Sequence, residues 1–316
     1  ENTIFIFMTD NGTAEGIPWG NLDDSKWQGF NAGMRGKKGT QYDGGHRVPF
    51  FIRWPAGNIG GGRDVLPLAA HIDVLPTLLE LCGLKPKLPN PIDGRSLVPL
   101  LRGGEADWPQ RTLFVHVQRE EIPPKWSRSA IMTDRWRLVD GEALFDMLAD
   151  PGQQDDVGKA FPEVVGRLRA EYERWWSSLT PAFGRFGRIV IGADAANPTE
   201  LTCHDWHSEE PVPWDQGHIR RDMWVNGYWM VDIAEAGEYE FTLRRQPRQA
   251  GFPLQATSAR IQLGDANAST DVAEDARQAT LTLKVPAGPA RMQTWLRNEA
   301  AGKTRGAFFV EAKRLR

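Results

Sequence analysis

The chain has 316 residues, 41% of them hydrophobic and 25% charged, with a formal net charge of −3. That aliphatic and aromatic content excludes a disordered polymer, and the near-balanced charge gives no electrostatic case for nucleic acid or an anionic membrane as partner. Two cysteines, Cys82 and Cys203, exclude a disulfide-rich scaffold, and no apolar run reaches the ~18–20 residues of a membrane span.

Glu1-Asn2 leads straight into Thr3-Ile4-Phe5-Ile6-Phe7-Met8, the pattern of a buried strand, so the sequence reads as part of something longer. The run ends in Thr9-Asp10-Asn11-Gly12, polar groups at the carboxyl end of a strand, where open α/β sheets bind ligands. A second apolar run, residues 48–54, stops at Pro55 and a glycine-rich loop. Ile72, Leu75, Leu78, Leu79 and Cys82 recur at spacings of three and four, which predicts a helix over 71–82 capped by Gly83. Residues 1–110 therefore read as α/β. Residues 111–180 read as a small antiparallel sheet plus a helix. Its strands are expected at 112–117, 129–132, 136–139 and 143–147, with Asp140-Gly141 as a hairpin turn. The helix carries one stripe, Phe161, Val165, Leu168, Tyr172, Trp175 and Leu179, and Pro181 with Gly184 marks a boundary. Residues 186–316 change to short alternating runs, including 189–191, 229–233, 239–243, 261–263, 281–285 and 308–310, which predict a β-sandwich or jelly roll.

The densest polar constellation lies in residues 9–49. Asp10 and Asn11 offer a carboxylate and an amide oxygen side by side, donors that suit Ca2+, and less well Mg2+, rather than a thiophilic metal; a plain Asx turn is the bland reading. Met34-Arg35-Gly36-Lys37-Lys38-Gly39-Thr40-Gln41-Tyr42-Asp43-Gly44-Gly45-His46-Arg47-Val48-Pro49 sets cations among glycines, either an anion site or a solvated basic loop.

Taken in order, these pieces resemble the formylglycine-dependent sulfatases of the alkaline phosphatase superfamily. The resemblance runs from strand-Thr-Asp-Asn-Gly through Arg-Gly-x-Lys-Gly-Thr-x-Tyr-Asp-Gly-Gly-x-Arg-Val-Pro and Ile52-Arg53-Trp54-Pro55-Ala56-Gly57. It continues through His71-Ile72-Asp73-Val74-Leu75-Pro76-Thr77, Asp93-Gly94-Arg95-Ser96-Leu97, Trp136-Arg137-Leu138-Val139 and Leu144-Phe145-Asp146, reaching about residue 180. It implies a truncated alkaline-phosphatase-like α/β fold and a sulfuric ester hydrolase acting on an aryl or carbohydrate sulfate. By the same token Asp10 and Asn11 match metal ligands, with Ca2+ the usual ion, and Lys38 matches the lysine that contacts the sulfate group. Lys37 is the rival by adjacency. His46 and His116 are carried as substrate-binding candidates, His116 together with Arg119, and a structural role is the alternative for both.

One part of the family pattern is missing. Formylglycine arises from a Cys/Ser-x-Pro-x-Arg motif, which this sequence does not contain; Cys82 precedes Gly-Leu-Lys-Pro and Cys203 precedes His-Asp-Trp-His. The expectation is a C-terminal sulfatase portion, inactive alone, whose formylglycine lies in an N-terminal part. Apolar surface around residues 3–8 would then call for a complementing chain or self-association. The family's usual export suggests a periplasmic or secreted protein. Asp23-Asp24 reads as a solvated loop. Cys203-His204-Asp205-Trp206-His207 holds metal-donor types too crowded for a tetrahedron. Trp206, Trp214, Trp224 and Trp229 could form a sugar-stacking face or simply core. Two competing functions stand beside the sulfatase reading. One is a phosphomonoester or phosphonate hydrolase of the same superfamily, the other a non-catalytic module that binds sulfated glycan through the sandwich.

Overall fold

The computed structural model describes residues 1–14, 30–88, 90–104, 108–117, 120–221 and 223–315, so Asp23, Asp24 and Arg119 lie outside it. The chain divides into two units, Glu1–Phe183 and Gly184–Arg316. Among the described residues no helix is long and apolar enough to cross a membrane.

The first unit is mixed α/β. Strand β1 (Phe5–Met8) pairs antiparallel with β2 (Phe50–Arg53) in a two-stranded sheet. The expectation of a buried strand is not met: Phe5 is 60%, Phe7 50% and Phe51 62% exposed. A two-stranded ribbon has no second layer to cover its faces. Helix α1 (Asp43–His46) is a single turn just before β2, α2 spans Val74–Leu81 and α3 Val98–Leu101. Buried Asp73 ties these segments together. Its carboxylate accepts from Arg111 Nη1 at 2.9 and 2.8 Å, from the Arg95 N–H at 2.8 Å and from the Ala70 N–H at 2.8 Å. The Thr77 hydroxyl, one helical turn on, bonds the Asp73 carbonyl and accepts the Leu97 N–H at 2.8 Å. The His-Ile-Asp and Asp-Gly-Arg-Ser-Leu motifs are therefore two halves of one buried polar knot.

Strands β3 (Leu113–His116), β4 (Ser129–Met132), β5 (Trp136–Val139) and β6 (Ala143–Asp146) form an antiparallel meander in that order. Every residue of β4 and β5 is buried. Helix α4 (Pro162–Leu179) lays Leu168, Tyr172 and Trp176 on Ile131, Leu138 and Leu144 of the sheet. Each such side chain contributes ~1.5–3 kcal/mol by burial. Trp176, which the sequence stripe omitted, is the deeper of the two adjacent tryptophans, while Trp175 stacks on Phe114 at 4.7 Å.

The second unit is all-β apart from α5 (Gln216–Arg221). Its strands are β7 (Ile189–Ile191), β8 (Thr199–Thr202), β9 (Tyr228–Ile233), β10 (Gly237–Arg244) and β11 (Ser258–Leu263). They continue with β12 (Ala266–Asp271), β13 (Ala279–Val285), β14 (Gly288–Asn298), β15 (Lys303–Arg305) and β16 (Phe309–Arg314). One sheet runs β13-β10-β16-β8; the other runs β12-β11-β14-β9-β7, with β15 on β14. Tyr239, Phe241, Leu281 and Leu283 of the first share one hydrophobic core with Trp229, Val231, Ile261 and Met292 of the second. The alternation along β9, β11 and β13, one face to this core and one outward, is that of two packed sheets, while the end of β10 is buried on both faces.

Candidate functional site

Two loops of the first unit carry the residues singled out by sequence, and backbone contacts lock them together. The Gly12 N–H donates to the Gly45 carbonyl at 2.9 Å, and the Lys38 N–H donates to the Thr13 carbonyl at 3.0 Å. The approach leaves no room for side chains. A Cβ on Gly12 would stand 1.9 Å from the Gly44 carbonyl oxygen, and one on Gly44 would stand 2.2 Å from the Gly36 oxygen. Gly12 thus serves close backbone packing between the turn after β1 and the basic loop, and Gly44 packing within the basic loop itself. His71 Nε2 donates to the Thr9 carbonyl at 2.8 Å and the Thr9 hydroxyl to the Asn11 carbonyl at 3.0 Å, fixing the turn itself.

The result places Asp10-Asn11 and Lys38 on adjoining loops. The Asp10 and Lys38 side chains are exposed and Asn11 is half-buried. Neighbouring Lys37 is buried, its N–H donating to Thr40 Oγ1 at 3.1 Å while the Thr40 hydroxyl returns a bond to its carbonyl at 2.8 Å. Of the two lysines, Lys38 is the one with access to an incoming anion.

Beneath the loop lies Asp43, completely buried. Its Oδ1 accepts from Arg137 Nε at 2.9 Å, and Arg137 also bonds the Thr133 and Trp136 carbonyls. His46 Nε2 stands 3.4 Å from the same oxygen, and Arg47 Nη1 is 3.8 Å from Oδ2. Burial by itself would raise the Asp43 carboxyl, but the adjacent His46 ring and the charge of Arg137 outweigh it and hold the group down at about 2. The Asp43 N–H donates to Gln153 Oε1 at 2.8 Å, and Arg35 Nη1 donates to the Gln153 carbonyl at 3.0 Å while its guanidinium lies 4.1 Å over the Tyr42 ring. Gln41 Nε2 reaches Asp140 Oδ2 in the β5–β6 turn at 2.8 Å. Sequence reasoning missed Arg137 and Gln153 as supports. An arginine inside the apolar run 136–139 was a readable signal; nothing local marks Gln153.

The other predicted groups sit differently. The His46 ring is turned toward Asp43, with its side chain 15% exposed. His116 at the end of β3 has Nε2 2.8 Å from the Tyr172 hydroxyl and lies among the rings of Tyr172, Trp175 and Trp176. Burial lowers its pKa, with Asp140 opposing. In the second unit the five-residue donor run does not converge. Cys203 is buried, its thiol pushed up to about 12 by burial; His204 bonds the Trp214 carbonyl at 3.1 Å; and His207 stacks on Tyr228 at 5.3 Å. Nor do the four clustered tryptophans make one sugar platform: Trp206 and Trp229 are core, because their indoles fill the space between the sheets.

Asp10 and Asn11 fit a hard cation in kind, since both present oxygen. They do not fit it in number: Ca2+ takes about six to eight oxygens, and among the described residues no group of three or more His, Cys, Asp or Glu side chains is gathered for a metal.

Residues 36–174 match the family model described as N-sulphoglucosamine sulphohydrolase, C-terminal. Steryl-sulfatase of Mus musculus is 39% identical over 103 residues, 32% of this chain and 16% of its own length. The N-acetylgalactosamine-6-O-sulfatase of Bacteroides thetaiotaomicron is 28% identical over 193 residues, covering 53% of this chain and 35% of its own. Among solved structures, the phosphonate monoester hydrolase of Silicibacter pomeroyi aligns at 26% identity with a TM-score of 0.35, over 44% of this chain and 31% of that one. The chain thus spans about a third or less of these relatives. The family match takes in the basic loop from Gly36 on and its supports Arg137 and Gln153, while the turn carrying Asp10 and Asn11 precedes it; residues 36–174 are sulfatase-like, corresponding to the C-terminal portion of sulfatases of the alkaline phosphatase superfamily.

Proposed function

We propose that this chain supplies the lysine and part of the metal shell of a sulfuric ester hydrolase. The observation that supports it is the double backbone lock between the Thr9–Thr13 turn and the Lys38–Gly45 loop, which holds side by side the two loops that carry Asp10, Asn11 and Lys38. Lys38 presents a compact ammonium to a sulfate oxygen, where it offsets charge that grows as the ester bond breaks. Asp10 and Asn11 would hold Ca2+ together with ligands from outside these residues; when bound, the ion supplies Lewis-acid polarisation of the sulfate. The nucleophile is not encoded in residues 1–316, which lack a Cys/Ser-x-Pro-x-Arg motif.

Asp43, Arg137, Gln153 and His46 act beneath the loop as positioning groups, His46 through Asp43 at 3.4 Å, and His116 is held by the Tyr172 hydroxyl at 2.8 Å. A covering partner, either a complementing sulfatase portion or a second copy, fits the exposed apolar faces of Phe5, Phe7 and Phe51. A periplasmic or secreted location belongs to the same proposal.

The test is hydrolysis of a chromogenic aryl sulfate, and of its aryl phosphate counterpart, by the 316-residue chain with and without Ca2+. No turnover is expected. Calcium-dependent turnover would show that a residue of this chain is the nucleophile and would overturn the assignment.

A further inference from the structure

The outer face of the sheet β12-β11-β14-β9 carries a repeated arrangement that neither the core nor the sulfatase signature uses. Arg260 on β11 lies with its guanidinium 4.9 Å from the centre of the Trp295 ring, directly across on β14, and its Nη2 donates to Gln262 Oε1 at 3.3 Å. Arg291 on β14 lies 3.8 Å from the centre of the Tyr228 ring of β9, and its Nη2 donates to Gln293 Oε1 at 3.0 Å. Each unit is therefore an Arg-x-Gln on one strand with an aromatic ring on the next. Gln262 and Gln293 stand opposite each other in register, so the two units share a polar seam.

Both arginines are exposed, and among the described residues neither has a carboxylate partner. Asp271 is on the same face, in the row of Ser258 and Arg297, and Asp232 is opposite Pro289 at the far end. The ring and the glutamine fix each guanidinium plane, which lowers the entropy lost when its remaining N–H groups meet an oxyanion. A guanidinium so held is suited to two parallel bonds with a sulfate.

Trp295 is four residues beyond Arg291 on β14 and faces Arg260, so the two arginine positions are ~14 Å apart at strand spacings. A polymer with repeated charges can engage both, and linkage of the two contacts strengthens its binding over that of a lone anion. The rings already carry guanidinium groups, which disfavours base stacking and hence single-stranded nucleic acid.

We propose that this face binds a sulfated polysaccharide, with Arg260 and Arg291 as its sulfate contacts and Gln262 and Gln293 bonding sugar hydroxyls between them. The choice of sulfate rests on the hydrolase reading of the first unit; the surface itself does not.

The experiment measures binding of the full chain to immobilised dextran sulfate, with neutral dextran as the matched control and single-stranded DNA as competitor. Binding to dextran sulfate and not dextran is expected, with a loss of at least about tenfold in R260Q/R291Q, as for removal of charge-assisted bonds. R220Q, an exposed arginine on α5, should bind as wild type does. All variants should keep the wild-type unfolding midpoint, since the substitutions are at the surface. Unchanged binding in R260Q/R291Q, an equal loss in R220Q, or DNA competing as well as dextran sulfate would overturn the proposal. A loss in K38A with none in R260Q/R291Q would do the same, by placing the polymer on the first unit. Since no arm requires turnover, failure of the hydrolase reading leaves this result intact.

Discussion

Asp43→Asn isolates the support beneath the signature loop. The substitution keeps the shape of the side chain and the backbone bond to Gln153 but removes the charge that Arg137 faces at 2.9 Å. Arg137 has 8% of its side chain exposed, so its guanidinium would be left buried without a counter-charge. Breaking a buried pair from one side costs about 3–5 kcal/mol. The ionisation of Asp43 bears on the same interaction from the other direction. Its folded pKa of about 2 lies below the ordinary 3.8, so the carboxylate stabilises the fold. That contribution, about 2 kcal/mol, is fully present above pH ~4 and is lost as pH falls through ~2. Both perturbations remove the same charge, and the two figures bracket its contribution at about 2–5 kcal/mol.

Hydrogen–deuterium exchange is the suitable assay, since two units need not unfold together and peptides from residues 228–316 serve as the internal reference. Exchange over residues 34–54 and 133–153 should rise roughly a hundredfold or more in D43N, at 1.36 kcal/mol per tenfold. The reference peptides should not change. D43N/R137M should be less perturbed than D43N alone, because it removes both charges. A rise below threefold in D43N, or strict additivity in the double variant, would refute the account of this pair.

Gly12→Ala should separate the two loops, since its Cβ would meet the Gly44 carbonyl oxygen at 1.9 Å; accelerated exchange of the Lys38 amide, which bonds the Thr13 carbonyl, would report it. Lys38→Ala, at an exposed side chain, should leave exchange of the first unit within ~0.5 kcal/mol of wild type, so any loss of sulfate hydrolysis in an active assembly would be chemical rather than structural. Native alkylation at pH 8 should label exposed Cys82 and spare Cys203, whose thiol is buried and raised to about 12; equal labelling would contradict the burial of Cys203. Equilibrium dialysis should show Ca2+ binding to this chain no tighter than ~10⁻⁴–10⁻³ M and abolished by Asp10→Ala, as two oxygen donors allow. Micromolar binding would mean further ligands within the chain.

Much of this was legible because local pattern and tertiary role agree. The α4 stripe and the strands 229–233 and 281–285 recur with the period of the element that forms, and β4–β6 are short runs bounded by turn signals, buried almost throughout. Strand β14 escaped notice although it is eleven residues long. It opens with Gly288-Pro289, and its inward positions include Ala290 and Thr294, so its apolar signal is diluted; Thr294 is nonetheless fully buried, its oxygen accepting the Ala307 N–H at 2.9 Å. Exposure of β1 was also illegible, because periodicity reports which residues suit a core and not whether a second layer is there. The loop residues Asp10, Asn11 and Lys38 were found by motif, while their supports were not. Asp43 meets Arg137 and Gln153 across 94 and 110 residues of chain, and no local window contains both ends of such a contact.

Those same separations set an order of assembly. The signature loop has little of its own to hold it: α1 is one turn, and its carboxylate is buried only once β5 and the loop after β6 are in place. Closing a loop of about a hundred residues is entropically unfavourable until the contacts at its ends are ready to form. The meander β3–β6 must therefore be built before residues 35–47 can settle. A chain halted on the ribosome before Gln153, or a gene fragment cut at the start of β3, would contain every residue of the basic loop and still lack part of what holds it in place.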